Sequence, residues 1–257
     1  MSSQICHKTA PEYDHSPDAP ALLEKGKTEF NSGRYQEAIE CFDQAIKINP
    51  RLHAAQINKG AALQHLKRHE ESIRCYNKVL IMNPESVPAW INKGAAFGQL
   101  GKYDQAIECY DMALQIDQRS AAAWANRGSA IHRLGRFDEA IKSFERALLI
   151  DPWLTSAHYG KGAALGSLGR HEEAIRSFDL ALEADTRSAA AWYNKGVSLS
   201  HLGRQAEALD CLDQSLQIDP ALSIAWDRKG EILMALGRAD DAEAAFARTG
   251  KPGGSAL

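Results

Sequence analysis

The chain repeats itself every 34 residues: Gly26, Gly60, Gly94, Gly128, Gly162, Gly196 and Gly230 follow one another at that step without an insertion or deletion. So strict a period constrains the fold more tightly than composition can. Each unit must be one supersecondary motif, and it can bury its apolar face only against its neighbours. In this register the copies occupy residues 19–52, 53–86, 87–120, 121–154, 155–188, 189–222 and a shortened 223–250. Residues 1–18 read as a disordered tail and 251–257 as a C-terminal tail.

The third copy, "VPAWINKGAAFGQLGKYDQAIECYDMALQIDQRS", shows what the unit is. Trp90, Phe97 and Leu100 follow helical spacing, as do Tyr103, Ala106, Ile107, Tyr110, Ala113 and Leu114. Gly101 lies between the two runs and suits the left-handed residue that ends a helix. Most copies close on Asn-Pro or Asp-Pro, as at Asn49-Pro50 and Asp151-Pro152, where a helix cannot continue. The unit is a helical hairpin, and nothing in it reads as a strand.

Columns of the repeat explain the glycines. Position 8 is Gly in every copy, position 20 is Ala or Ser, and position 24 is Phe or Tyr in all but the sixth copy. Small residues let two helices approach while a ring fills the remaining gap. Glycine inside a helix costs roughly 0.5–1 kcal/mol against Ala, so close packing is the expected reason for keeping it. The glycines are architecture.

These columns resemble the tetratricopeptide repeat family. The likeness rests on Trp90 to Gly94, on Ala106 to Tyr110 and on the closing proline, and it extends over residues 19–250. Two departures stand out. Lys or Arg fills position 7 throughout (Lys59, Lys93 and Arg127 among them), and His158 replaces the fifth copy's Trp. The resemblance implies an all-α fold, a right-handed superhelical solenoid of antiparallel helix pairs. First helices would line its concave face and second helices its convex one. It further implies a non-catalytic scaffold that binds a peptide or a partner helix in the groove.

On the same resemblance, positions 2, 5, 6, 9, 12 and 13 of each first helix face the groove. Asn58, Asn92, Asn126 and Asn194 share position 6. An amide offers both donor and acceptor, so a row of them could clamp the backbone of an extended peptide whatever its sequence. Small neutral residues dominate the rest, together with His65, Gln99, His132 and His201, and Arg133 is the lone fixed charge. Tyr159 and Tyr193 are the expected anchors, since Tyr is enriched among residues that dominate binding energy. The position-7 cations should lie at the seam between copies, stems packed and ammonium groups reaching water. The charged clamp that chaperone-binding relatives use for a C-terminal carboxylate is missing: Leu23, Lys27, Asn58, Pro88 and Asn92 stand at its positions.

Other functions are disfavoured. A net charge of −3 advertises no nucleic-acid or anionic-lipid partner. No apolar run is long enough to cross a membrane, and the N-terminal residues contain no secretory apolar region. Five cysteines suit a reducing compartment, which points to the cytoplasm. Cys41, Cys75, Cys109 and Cys211 share position 23, a packing slot whose members are spaced too far apart for disulfides. "GKT" at Gly26–Thr28 lacks the earlier glycine of a phosphate loop. No nucleophile–base pair, metal cluster or cofactor motif stands out, so no cofactor is expected. Two alternatives to groove binding remain. One is a structural scaffold that self-associates end to end through its last repeat. The other is a regulatory module like those of glycosyltransferases, without their catalytic domain.

Overall fold

The computed structural model describes residues 18–249. The tails expected at the two ends lie outside them, apart from Asp18. That residue caps the first helix, its carboxylate accepting from Ala21 N–H at 2.7 Å. Fourteen helices and no strand occur among the described residues. They form seven hairpins: Ala19–Asn31 (α1) with Tyr35–Ile48 (α2), His53–His65 (α3) with His69–Met82 (α4), Val87–Gln99 (α5) with Tyr103–Ile116 (α6), and Ala121–Arg133 (α7) with Phe137–Ile150 (α8). Thr155–Ser167 (α9) pairs with His171–Ala184 (α10), Ala189–His201 (α11) with Gln205–Ile218 (α12), and Ser223–Ala235 (α13) with the shorter Ala239–Ala247 (α14).

The turn inside each hairpin has one chemistry. Position 15 adopts φ between 72° and 76° at Gly33, Gly101, Gly135, Gly169, Gly203 and Gly237. The next residue's N–H then reaches back to an orphan carbonyl of the first helix, as Lys102 does to Phe97 at 2.9 Å. The second copy places Lys67 there at φ 59°, the one non-glycine in that conformation among the described residues. Between hairpins, the Asn or Asp that precedes the proline or polar residue folds an Asx turn. Asp117 Oδ1 accepts from Arg119 N–H at 2.9 Å, and Asp151 Oδ1 from Trp153 N–H at 3.1 Å.

Glycine at position 8 does what its column suggests. A Cβ built on Gly128 would lie 2.9 Å from Phe144 Cε1, and one on Gly94 would lie 2.7 Å from Tyr110 Cε1. The ring at position 24 therefore lies against bare backbone. Phe42, Tyr76, Phe144 and Phe178 are almost wholly buried as a result.

The chain divides at Pro84/Glu85 into two compact units, copies 1–2 and copies 3–7. Inside each, a first helix packs on its own second helix and on the first helix of the next copy, while the second helix also packs on that following first helix. Second helices do not pack on one another. Only a stack curved toward its first helices has this pattern, so α1 and α3 line the inner side of the first unit, and α5, α7, α9, α11 and α13 that of the second.

Candidate functional site

Asparagine at position 6 sits on adjacent inner helices, Asn92 on α5 and Asn126 on α7, both half-buried. The row is interrupted in the fifth copy by Gly160, where a Cβ would meet Phe144 Cζ at 2.4 Å. Phe144 fills the space that an asparagine would need. Asn194, on α11, resumes the row with both amide hydrogens engaged. Its Nδ2 donates to Tyr159 Oη at 3.0 Å and to Ala190 O at 3.0 Å. Only its Oδ1 is left to meet a ligand, as an acceptor. In the first unit, Asn58 lines a pocket of about 240 Å³ with Lys27, Phe30, Asn31 and Phe42.

The two tyrosines differ. Tyr159 is tied down by Asn194 and tilts against Phe178 at 6.0 Å between centroids. Burial, the larger effect, raises its phenol pKa, and the Asn194 hydrogen bond pulls it partly back. Tyr193 is half-buried and packs on the cluster around Leu199, Leu212 and Ile232.

Three other candidates are held by a contact that the sequence did not reveal. Position 13 of one copy lies on position 17 of the copy before it. His65 stacks on Tyr35 (centroids 4.4 Å, planes 8° apart). Arg133 Nε donates to Tyr103 Oη at 3.1 Å with its guanidinium 5.6 Å from the ring centre. His201 stacks on His171 at 4.6 Å and 6°. The inner rim of these copies is thus latched copy to copy. The signal was a 30-residue spacing between a ring and a cation or imidazole, hidden because the two members belong to different helices. His132 tilts on Phe137 at 5.2 Å, and burial is the main cause that depresses its pKa. Gln99 is exposed at the end of α5.

Away from the inner face, the position-7 cations lie at the seam, where they meet carboxylates as well as water. Five of the seven pair with the acid at position 25 of the preceding copy: Lys59 with Asp43, Arg127 with Asp111 at 2.7 Å, Lys161 with Glu145 at 2.8 Å, Lys195 with Asp179 at 2.6 Å, and Lys229 with Asp213. Lys93, Arg127, Lys195 and Lys229 also lie over the Trp three residues before them, 4.9–5.8 Å from the ring centre. Arg127 goes furthest, reaching Ser143 at 2.8 Å and Glu139 at 3.3 Å as well. Such neutralised charges cannot form a basic ladder.

The tryptophans are pinned from the other side. Trp124, Trp192 and Trp226 donate Nε1–H to the carbonyls of Gln118, Thr186 and Pro220 at 3.0–3.1 Å. His158 stands in for the fifth by placing Nε2 2.8 Å from Pro152 O, which assigns its proton to that nitrogen. The four described cysteines are free and buried, and burial pushes the Cys109 and Cys211 thiols up to about 11. They are poor nucleophiles.

Tetratricopeptide repeat models match residues 19–52, 87–120 and 189–222, residues 119–187, and residues 53–86. Comparison with curated proteins gives no match. Among solved structures, a tetratricopeptide repeat protein from Parabacteroides merdae is 18% identical, with 92% of this chain and 94% of that one covered at a TM-score of 0.70. A chain of the APC/C hetero-tetramer Cut9-Hcn1 is 19% identical at a TM-score of 0.75, covering 93% of this chain and 46% of the matched one. YrrB, described as having an unusual peptide-binding site, is 25% identical over 74% of this chain and 98% of its own at a TM-score of 0.57.

Proposed function

The chain belongs to the tetratricopeptide repeat family of protein-interaction scaffolds, and we propose that it works without catalysis, holding an extended peptide along the inner face of its first helices. The observation that carries this reading is the placement of Asn92 and Asn126 at one register position of adjacent inner helices, with Asn194 beyond Gly160. Amides so arranged can hydrogen-bond a peptide main chain and ignore its side chains. Gly166, where a Cβ would meet only Ser198 Oγ at 3.8 Å and Ala174 Cβ at 3.9 Å, leaves room on α9 for a ligand side chain. The peptide-binding site named for YrrB supports the same use of the fold.

The groove is tested by peptide-array binding to the wild type and to Asn58→Ala/Asn92→Ala/Asn126→Ala/Asn194→Ala. Loss of binding by a variant that keeps its helical circular dichroism supports the clamp. Undiminished binding refutes it.

A further inference from the structure

Copy 4 carries a surface that the repeat itself does not require. Trp153 is 70% exposed and Leu149 is 75% exposed. Elsewhere the column of Trp153 holds Arg51, Glu85, Arg119, Arg187 and Ala221, and that of Leu149 is polar in every copy except the second. Large apolar groups left in water gain nothing for folding. Leu149 edges a trough of about 970 Å³ on the side opposite the inner face, whose lining includes Leu114 and Trp124.

Charge singles out this trough. Lys142, Arg146 and Leu149 follow one another at helical spacing on α8 and share one stripe. Each carboxylate that lines the trough already has a partner: Asp111 with Arg127, Glu139 with Arg127 and Arg136, and Glu145 with Lys161. Lys142 and Arg146 have no ion-pair partner among the described residues. The equivalent troughs beside Trp90 and Trp192 carry Glu108 and Asp210 where this one has Lys142. Among the described residues, only copy 4 combines an aromatic floor, an exposed Trp and Leu, and two cations without an ion-pair partner, in a chain whose net charge is −3.

We infer that this outer trough is a second docking surface, separate from the inner groove, for a partner-protein segment whose carboxylates stand beside large apolar side chains. The carboxylates would meet Lys142 and Arg146, and the apolar groups would cover Leu149 and Trp153. A recessed trough suits a chain segment better than a lipid surface.

The test uses the full chain and short fluorescein-labelled peptides in which Glu alternates with Leu and Trp, read by anisotropy. The same peptides with Lys for Glu serve as comparison, alongside phosphatidylserine vesicles. The wild type should prefer the acidic peptides. Lys142→Glu/Arg146→Glu and, separately, Trp153→Ser should each weaken binding about tenfold or more. All these side chains are exposed, and circular dichroism verifies the fold of each variant. Asn126→Ala/Asn194→Ala should keep the preference for the acidic peptides over their Lys counterparts. The inference is overturned if no peptide binds, if neither outer variant weakens binding, if the asparagine variant abolishes it, or if vesicles bind and peptides do not.

Discussion

Alanine substitution should stabilise at one helical glycine and fail to do so at another. Gly98 and Gly128 both lie inside first helices of the second unit. A Cβ on Gly98 would meet nothing within 4 Å, whereas one on Gly128 would lie 2.9, 3.0 and 3.1 Å from Phe144 Cε1, Cδ1 and Cζ. Carbon atoms prefer about 3.5–4.0 Å, so Phe144 must move by more than half an ångström. It is only 1% exposed and has little room. Helix propensity favours Ala over Gly by about 1 kcal/mol at either site. At Gly128 an overpacking cost of about 1–3 kcal/mol opposes it.

Gly98→Ala should therefore raise the thermal midpoint by a few degrees, at about 2–4 °C per kcal/mol for a unit of this size. Gly128→Ala should be neutral to destabilising by up to about 2 kcal/mol, and Gly128→Leu should cost about 1–3 kcal/mol. Paired thermal and guanidinium melts measure both, with each variant referred to the wild type because repeat arrays are not strictly two-state. Should the two alanine variants shift in the same direction by similar amounts, close packing is not the reason for the position-8 glycines.

Three further predictions rest on one or two residues each. Lys67→Gly should stabilise the first unit by roughly 1 kcal/mol, because φ 59° strains any residue with a Cβ; an unchanged melt would show the strain to be absent. Arg127→Lys should cost about 1–3 kcal/mol even though it keeps the charge, since one ammonium cannot serve Asp111, Glu139 and Ser143 together; equal stability of the two proteins would rule out that hub. Burial depresses the pKa of His132 and, with the charge of His201 as a second cause, that of His171. The unfolded chain then takes up protons first, so the stability they contribute is complete above the ordinary value of 6.5 and is lost as pH falls through their folded pKa values. Melts between about pH 7.5 and 5.5 should show a decline that His132→Gln/His171→Gln flattens; an identical decline in that variant would assign it to other groups.

Much of the architecture was legible because the period is strict and the columns are chemically uniform. Gly at position 8 announced its packing against the ring at position 24, and the Gly at position 15 announced the turn. Contacts between columns were less legible. His65, Arg133 and His201 read as groove residues by their place on the first helix, yet each is engaged by the ring at position 17 of the copy before. Tyr159 read as an anchor, and in the structure it also takes an amide hydrogen from Asn194. Reading position 25 alongside position 7 would have revealed the seam pairs, because Asp43, Asp111, Glu145, Asp179 and Asp213 all stand 16 residues before a cation.

By itself the amino-acid order determined that this chain makes helical hairpins, where each turns, and which small residues must meet which rings. These are local choices, repeated until no other pattern is consistent. Only the tertiary structure decided which polar groups are already satisfied and which still face outward. That balance depends on neighbours a full copy away, as when Phe144 occupies the place of a missing asparagine while Lys142 and Arg146 find no carboxylate among the described residues.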